Sequence, residues 1–344
     1  MKPIFRRLTG LSVGLAAGAF AVSALAADMT GAGATFPYPI YAKWAEAYKA
    51  KTGIGLNYQS IGSGGGIAQI KAKTVDFGAS DKPLSPGELD AAGLTQFPTV
   101  IGGVVPVINI PGIKAGELVL DGATLAEICL GKIKYWDDAA VKKLNPSVSL
   151  PHLAVVGVHR SDGSGTNFIF TNYLSKKSPA WASNVGAATS VEWPSGIGAK
   201  GNEGVAGNVK QTQGALGYVE YAYAKQNGLT YVRMINHDGK AVSPTAEAFQ
   251  AASAKADWAH SKGFYVVLTD QPGAAAWPIA GATFILVYKN PPNAAKTTDV
   301  LKFFKWAYAE GDKMAQDLDY VPLPDSTIQA ISKSWHENIQ NVSM

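Results

Sequence analysis

A turn rich in glycine and hydroxyl groups, with an arginine at its start, is the part of this sequence best suited to chemistry. Residues 160–166 read RSDGSGT and lead directly into a helical pattern that begins at Asn167. The first turn of a helix has backbone N–H groups without partners and a partial positive charge, and arginine adds a planar pair of donors. These features predict a pocket for a tetrahedral oxyanion. The same residue types are ordinary in a helix cap and a tight turn, so this segment alone leaves both interpretations open.

Two further turns that carry a hydroxyl group also precede helical patterns. Residues 31–37 contain Thr35 and lead into a helix that carries Trp44, and residues 61–66 contain Ser63 before a second helical run. A helix needs only one such turn for its own cap. Three such turns therefore predict that three helix N-termini point at a single anion. The site could then bind the anion without a lysine.

Asp81 is a candidate whose charge opposes an anion, because a carboxylate only accepts hydrogen bonds. A ligand that carries a proton, such as monohydrogen phosphate, can donate it to Asp81, whereas sulfate cannot. Asp81 would then exclude an oxyanion that has no proton. An Asx turn before Pro83 is the alternative interpretation. Asp162, two residues after Arg160, is expected either to orient the guanidinium group or to serve the turn alone.

The elements that must position these residues alternate between helical and β-rich patterns, which predicts an α/β fold. Buried strands are expected at residues 104–110, 153–158 and 283–288, and a late amphipathic helix at about 300–317. The length of the chain indicates two lobes. Because the candidate residues lie before residue 82 and again near residue 160, a shared pocket would form between those lobes.

The first 26 residues have the basic start, the apolar stretch and the Ala-x-Ala ending of a cleaved signal peptide, which predicts secretion. They hold three of the 30 basic residues and none of the 26 acidic ones. The remaining chain is therefore close to neutral and offers no basic surface for nucleic acid or membrane lipid. Cys129 is the only cysteine. It lies in an apolar helical pattern and is expected to be a buried, unreactive thiol.

The residues of these turns do not match the catalytic motifs that such turns could carry. A hydrolase elbow needs Gly-x-Ser-x-Gly, and neither Ser63 nor Ser164 has glycine on both sides at that spacing. The five histidines are scattered without metal-ligand spacing. We therefore predict a binding protein without catalysis, cofactor or metal. A binding protein for another oxyanion and a secreted phosphatase are the alternatives.

At these residues the chain resembles the periplasmic phosphate-binding proteins of bacterial phosphate-specific ABC transporters. The matching motifs lie at residues 30–37, 61–63, 76–81, 160–166, 214–222 and 318–324. The resemblance implies a monomer that binds inorganic phosphate in the periplasm and serves the permease and ATPase subunits of the transporter. It implies the following phosphate-binding residues, with Asp162 behind them: Ala34, Thr35, Phe36, Ser63, Asp81, Arg160, Ser164, Gly165 and Thr166. His159 and Lys82 depart from the family pattern, which puts the affinity in question.

The resemblance also implies a two-lobed, type II-like periplasmic-binding fold with the ligand cleft between the lobes and two crossover strands. We expect the crossings near residues 105–106 and 283–284. Lobe I would then comprise residues 27–105 and 284–344, and lobe II residues 106–283. The lobes would close on phosphate without covalent chemistry.

Overall fold

The structure is a computed structural model, and it describes residues 28–343. The signal peptide predicted at residues 1–26 lies outside the described residues. Within residues 28–343, no helix combines the length and the hydropathy that crossing a membrane requires.

The described residues form twelve strands, thirteen α-helices and a short 3-10 helix at Lys262–Phe264. The strands are β1 (Met29–Gly33), β2 (Leu56–Ser60), β3 (Phe77–Ser80), β4 (Leu94–Ile108), β5 (Val119–Leu120), β6 (Val156–Arg160), β7 (Ile197–Ala199), β8 (Ala215–Glu220), β9 (Thr230–Tyr231), β10 (Arg233–Ile235), β11 (Ala241–Val242) and β12 (Ala280–Tyr288). The helices are α1 (Tyr38–Thr52), α2 (Ser63–Lys71), α3 (Pro86–Ala92), α4 (Gly122–Cys129), α5 (Ala139–Leu144), α6 (Gly165–Lys177), α7 (Pro179–Asn184), α8 (Gly201–Gln211), α9 (Tyr221–Gln226), α10 (Ala246–Ser253), α11 (Ala294–Glu310), α12 (Asp312–Gln316) and α13 (Asp325–Asn338).

A nine-stranded sheet organises the described residues, with the order β2-β1-β3-β12-β4-β8-β6-β7 and with β9 paired to β4. Strand β1 is parallel to β2 and β3, and β6 is parallel to β7 and β8. A smaller sheet has the order β11-β10-β5. Parallel strands joined by helices bring their carboxyl ends, and the loops that follow, to one edge of a sheet.

Strand β4 connects the two halves of this sheet. Its first part pairs antiparallel with β12, up to Gly103, and its last part, from Val104, pairs antiparallel with β8. All fifteen of its residues are buried, as expected for a strand that is covered on both faces. Beside this point, the N–H of Val104 donates to the carbonyl of Ile279 at 2.9 Å. The α/β class is confirmed.

The beginning of helix α1 agrees with the sequence, whereas the late helix does not. Helix α1 begins directly after Pro37 and ends at Thr52, and it is capped by Gly53, whose φ of 78° is left-handed. The single helix predicted at about 300–317 is wrong, because α11 begins six residues earlier and a break at Gly311 separates it from α12. The carbonyl of Gly311 accepts a hydrogen bond from the indole of Trp44 on α1, at 3.1 Å. A contact between residues this far apart cannot be inferred from helical periodicity.

The core is built mainly from side chains of the long strands and of the helices that cover them. The ring of Phe304 packs edge to face against Phe77 and Phe97, with centroid distances of 5.4 and 5.7 Å. This is a geometry that aromatic pairs prefer. Cys129 ends α4 beside this core. Burial raises the pKa of its thiol to about 12, so the thiol stays protonated at neutral pH.

Candidate anion-binding site

Three segments predicted to bind an anion touch each other, although they lie far apart in the sequence. The hydroxyl oxygen of Ser63 accepts the N–H of Gly165 at 3.0 Å and the N–H of Asp81 at 3.1 Å. Next to them, the N–H of Gly64 donates to the carbonyl of Gly163 at 2.8 Å. Because Ser63 accepts two hydrogen bonds, its own proton remains to be donated to a further acceptor. The start of α2, the end of β3 and the start of α6 therefore form one buried site.

Asn202, which the sequence analysis missed, joins two other candidates. Its side-chain amide donates to the hydroxyl of Thr35 at 2.7 Å and to the hydroxyl of Thr166 at 3.2 Å. All three residues are fully or almost fully buried. Asn202 follows β7 and is the second residue of α8. The succession of strand, glycine and helix at residues 197–202 repeats the pattern of the other three turns, and it could have indicated this residue.

The loop that contains Ala34, Thr35 and Phe36 is held by hydrogen bonds to its carbonyls. The hydroxyls of Tyr58, Tyr223 and Tyr320 donate to these three carbonyls in turn, at 2.7, 2.7 and 2.6 Å. The N–H of Ala34 donates to the carbonyl of Ala79 at 3.0 Å, so this N–H is not available to a ligand.

Four helices start around the site. Helices α1, α2 and α6 begin at Tyr38, Ser63 and Gly165, and α8 is a fourth that begins at Gly201. The hydroxyl of Ser164 caps α6 by accepting the N–H of Asn167 at 3.0 Å. Helix N-termini carry partial positive charge, so their number favours an anion even though the site holds a carboxylate.

Arg160 lies at the end of β6 with its guanidinium group held by Asp162. Nε and Nη2 donate to the two carboxylate oxygens at 2.7 and 2.6 Å, which is the bidentate geometry that suits this pair. Burial acts to raise the pKa of Asp162, but the hydrogen bonds and charge of Arg160, with the N–H of Gly201, keep it below its usual value. The remaining nitrogen, Nη1, is buried and has no hydrogen-bond partner among residues 28–343.

Asp81 is held on one oxygen only. Its Oδ1 accepts the hydroxyl of Thr283 at 2.7 Å, and its Oδ2 is buried without a hydrogen-bond partner in the described part of the chain. Burial raises the pKa of Asp81 to about 7, although the hydrogen bond from Thr283 and the charge of Arg160 act in the opposite direction. The sequence analysis missed the role of Thr283, since nothing local indicates a contact across 202 positions.

These contacts leave a buried donor on Arg160 and a buried acceptor on Asp81. Buried polar groups are normally hydrogen-bonded, so this pair suits a ligand that both accepts and donates.

The two residues that depart from the family pattern make other contacts. His159 stacks on Trp193 with ring centroids 4.9 Å apart, and Lys82 forms an ion pair with Glu88 at 3.1 Å. Within the described residues, no group of three His, Cys, Asp or Glu side chains could hold a metal ion.

Comparison with known proteins identifies the family. The sequence model of a family described as "PBP superfamily domain" matches residues 19–310. The chain is 52% identical to "Phosphate-binding protein PstS" of Pasteurella multocida, over 94% of each chain. The chain belongs to the PstS phosphate-binding proteins of this superfamily. A PstS of Xylella fastidiosa (strain 9a5c) is 53% identical to this family member, over 89% of this chain and 84% of the relative.

A solved structure agrees with the fold of this PstS-family chain. It is described as a "high affinity periplasmic phosphate-binding protein (PfluDING) bound with phosphate", and it superposes with a TM-score of 0.72 and 23% identity. The match covers 89% of this chain and 93% of that chain. The resemblance inferred from the motifs and the two-lobed periplasmic-binding fold are both confirmed.

Proposed function

We propose that this protein binds inorganic phosphate in the cleft, without covalent chemistry, and delivers it to the permease and ATPase subunits of a phosphate ABC importer. The names of its relatives support this function. They are binding proteins rather than enzymes, which supports binding without turnover. We assign the phosphate contacts to Thr35, Phe36 (through its N–H), Ser63, Asp81, Arg160, Ser164 and Thr166. Ala34 and Gly165 shape the site without donating to phosphate, because their N–H groups donate to Ala79 and Ser63.

The observation that carries this proposal is the pair of buried atoms that lack partners within residues 28–343, Arg160 Nη1 and Asp81 Oδ2. Monohydrogen phosphate satisfies both, because its bare oxygens accept and its single O–H donates. A fully ionised oxyanion satisfies the guanidinium group but leaves the carboxylate facing another acceptor. Sulfate is therefore the disfavoured ligand, and Asp81 is the residue that discriminates against it.

The site connects two lobes, and we assign residues 27–105 with 284–344 to lobe I and residues 106–283 to lobe II. Two features support this division: the pairing of β4 changes at residues 103–104, and Phe304 packs on Tyr41 of α1 at 5.9 Å. Ser63 and Asp81 belong to lobe I, and Arg160 and Gly165 to lobe II. Phosphate would bridge them and stabilise the closed form. A radius of gyration, from small-angle scattering, that stays the same when phosphate binds would contradict closure.

The proposed location is the periplasm, after removal of the signal peptide at residues 1–26. The composition of this segment supports the assignment. Mass spectrometry of the protein from periplasmic extracts would test it. The mature protein should begin near Ala27.

Calorimetric titration of protein freed of phosphate tests the binding function. We expect saturable binding of phosphate at one site per chain, and no displacement of phosphate by sulfate at equal concentration. Incubation with p-nitrophenyl phosphate should release no product. The proposal fails if phosphate produces no binding heat while the protein is folded, and the phosphatase alternative is favoured if product is released.

A further inference from the structure

Glu220 is a buried carboxyl group that the proposed phosphate contacts do not use. It ends β8, where that strand pairs with Val104 of the connecting strand β4, and its side chain is fully buried. Its Oε2 accepts the N–H of Ala222 at 2.9 Å and lies 2.9 Å from the hydroxyl of Tyr320. Its Oε1 is buried and has no hydrogen-bond partner among the residues that the structure describes.

The hydroxyl of Tyr320 has one proton but two oxygen neighbours. It lies 2.6 Å from the carbonyl of Phe36 and 2.9 Å from Oε2 of Glu220. A carbonyl only accepts hydrogen bonds, so the shorter contact, with Phe36, is a hydrogen bond only if Tyr320 donates its proton there. The contact with Glu220 is then a hydrogen bond only if Oε2 carries a proton of its own. The oxygen of a carboxylic O–H can donate to Tyr320 while it accepts the N–H of Ala222.

The surroundings of Glu220 also favour the neutral acid. Burial raises the pKa of Glu220 well above its usual range, and the nearby Asp319 acts in the same direction. The hydrogen bond from the N–H of Ala222 acts to lower this pKa but does not outweigh burial. Tyr221 and Tyr223 are the other titratable groups that interact with it, and both are neutral below pH 10. A neutral Glu220 also adds no negative charge near a bound dianion.

Glu220 is connected to the loop at residues 34–36 by two routes. Its side chain reaches Phe36 through Tyr320, and its N–H donates at 2.9 Å to Asn202, which holds the hydroxyl of Thr35. The carbonyl of Thr35 accepts the hydroxyl of Tyr223. In a trans peptide the next N–H points to the opposite side, so the N–H of Phe36 is directed away from Tyr223.

We propose that Glu220 is a positioning residue for phosphate binding: as a neutral acid it donates to Tyr320, which holds the carbonyl of Phe36 and so fixes the loop that presents the N–H of Phe36. This inference rests on the proposed phosphate function. Its chemistry requires a carboxylic acid, because neither the oxygen nor the nitrogen of a glutamine amide can accept from Ala222 and donate to Tyr320 at once.

Infrared spectroscopy at neutral pH tests the protonation state without any ligand. The parent protein should show the carbonyl stretch of a protonated carboxyl group, and Glu220→Gln should lose it. Labelling glutamate with a heavy carbon isotope should shift the band, which separates it from Asp81 and needs no variant. Asp319→Asn, which removes a carboxylate paired with Lys225, is the matched control and should keep the band. A parent spectrum without a protonated glutamate band overturns the inference.

Phosphate titrations test the positioning role. We expect Glu220→Gln and Tyr320→Phe each to weaken binding by about threefold to tenfold, the effect of one hydrogen bond. The double variant should bind phosphate no more weakly than the more affected single variant, because both substitutions interrupt one chain of hydrogen bonds. Parent-like affinity in both single variants, or penalties that simply add, overturns the positioning role. A parent that does not bind phosphate would instead refute the proposed function, and the infrared result would still decide the state of Glu220.

Discussion

Replacing Asp81 by asparagine removes from the cleft a group that, when ionised, only accepts hydrogen bonds. The pKa of Asp81 determines how the effect of this substitution on sulfate binding depends on pH. Oδ1 is occupied by Thr283, so Oδ2 is the oxygen left for the proposed ligand. Sulfate has no proton, so it can bind well only when Asp81 carries one. The raised pKa of about 7 means that the proton is present below pH 7 and is lost as the pH rises. The sulfate affinity of the parent should therefore be highest below pH 7.

The size of the effect follows from the protonated fraction of Asp81. With a pKa of about 7, this fraction is about one tenth at pH 8 and roughly one thirtieth at pH 8.5, and it falls about tenfold for each further pH unit. Asparagine offers a permanent N–H at every pH. The sulfate affinity of Asp81→Asn should then exceed that of the parent by roughly thirtyfold at pH 8.5 and by little at pH 6. Phosphate brings its own proton, so its affinity should change much less.

The assay is a calorimetric titration of sulfate and of phosphate into both proteins at pH 6 and pH 8.5, in buffer low in chloride. Asp162→Asn is the matched control. Its pKa is lowered by Arg160 and Gly201, so it is ionised at both pH values and its replacement should have the same effect at each. The reasoning is refuted if the sulfate affinity of the parent is equal at pH 6 and pH 8.5, or if Asp81→Asn gains no sulfate affinity.

Three further predictions concern the donors and the fit of the two lobes, and each is checked by phosphate titration. Arg160→Ala deletes the donor that lacks a partner, and charge-assisted bonds of ~1.5–3 kcal/mol imply a loss of roughly tenfold to 150-fold; unchanged binding would exclude Arg160 from the site. Gly165→Ala would place a Cβ 2.5 Å from the Ser63 hydroxyl, and ~1–3 kcal/mol of overpacking implies a loss of roughly fivefold to 150-fold. Gly207→Ala, where a Cβ meets no atom within 4 Å, should bind normally. Asn202→Ala should lose about threefold to tenfold, the effect of a missing hydrogen bond, and parent-like affinity would argue against its bridging role.

Features of this protein that depend on neighbouring residues could be predicted from the amino-acid sequence. The hydroxyl of Ser164 caps α6, and α1 has a proline in its first turn, so both helices begin where they do for local reasons. The α/β class follows from alternating patterns of hydrophobic residues. The motifs were sufficient to indicate the family to which the chain belongs.

The side chains that support the loops of the anion-binding site could be identified only in the folded protein. Asn202 lies 167 positions from Thr35, and Thr283 lies 202 positions from Asp81, so no local pattern links them. The contact of Gly311 with Trp44 likewise joins residues 267 positions apart. The raised pKa of Asp81 is a property of burial, which arises only when distant segments of the chain pack around it. Periodicity and caps act within a few residues, whereas desolvation and hydrogen-bond partners are set by chain segments that meet only in the folded protein.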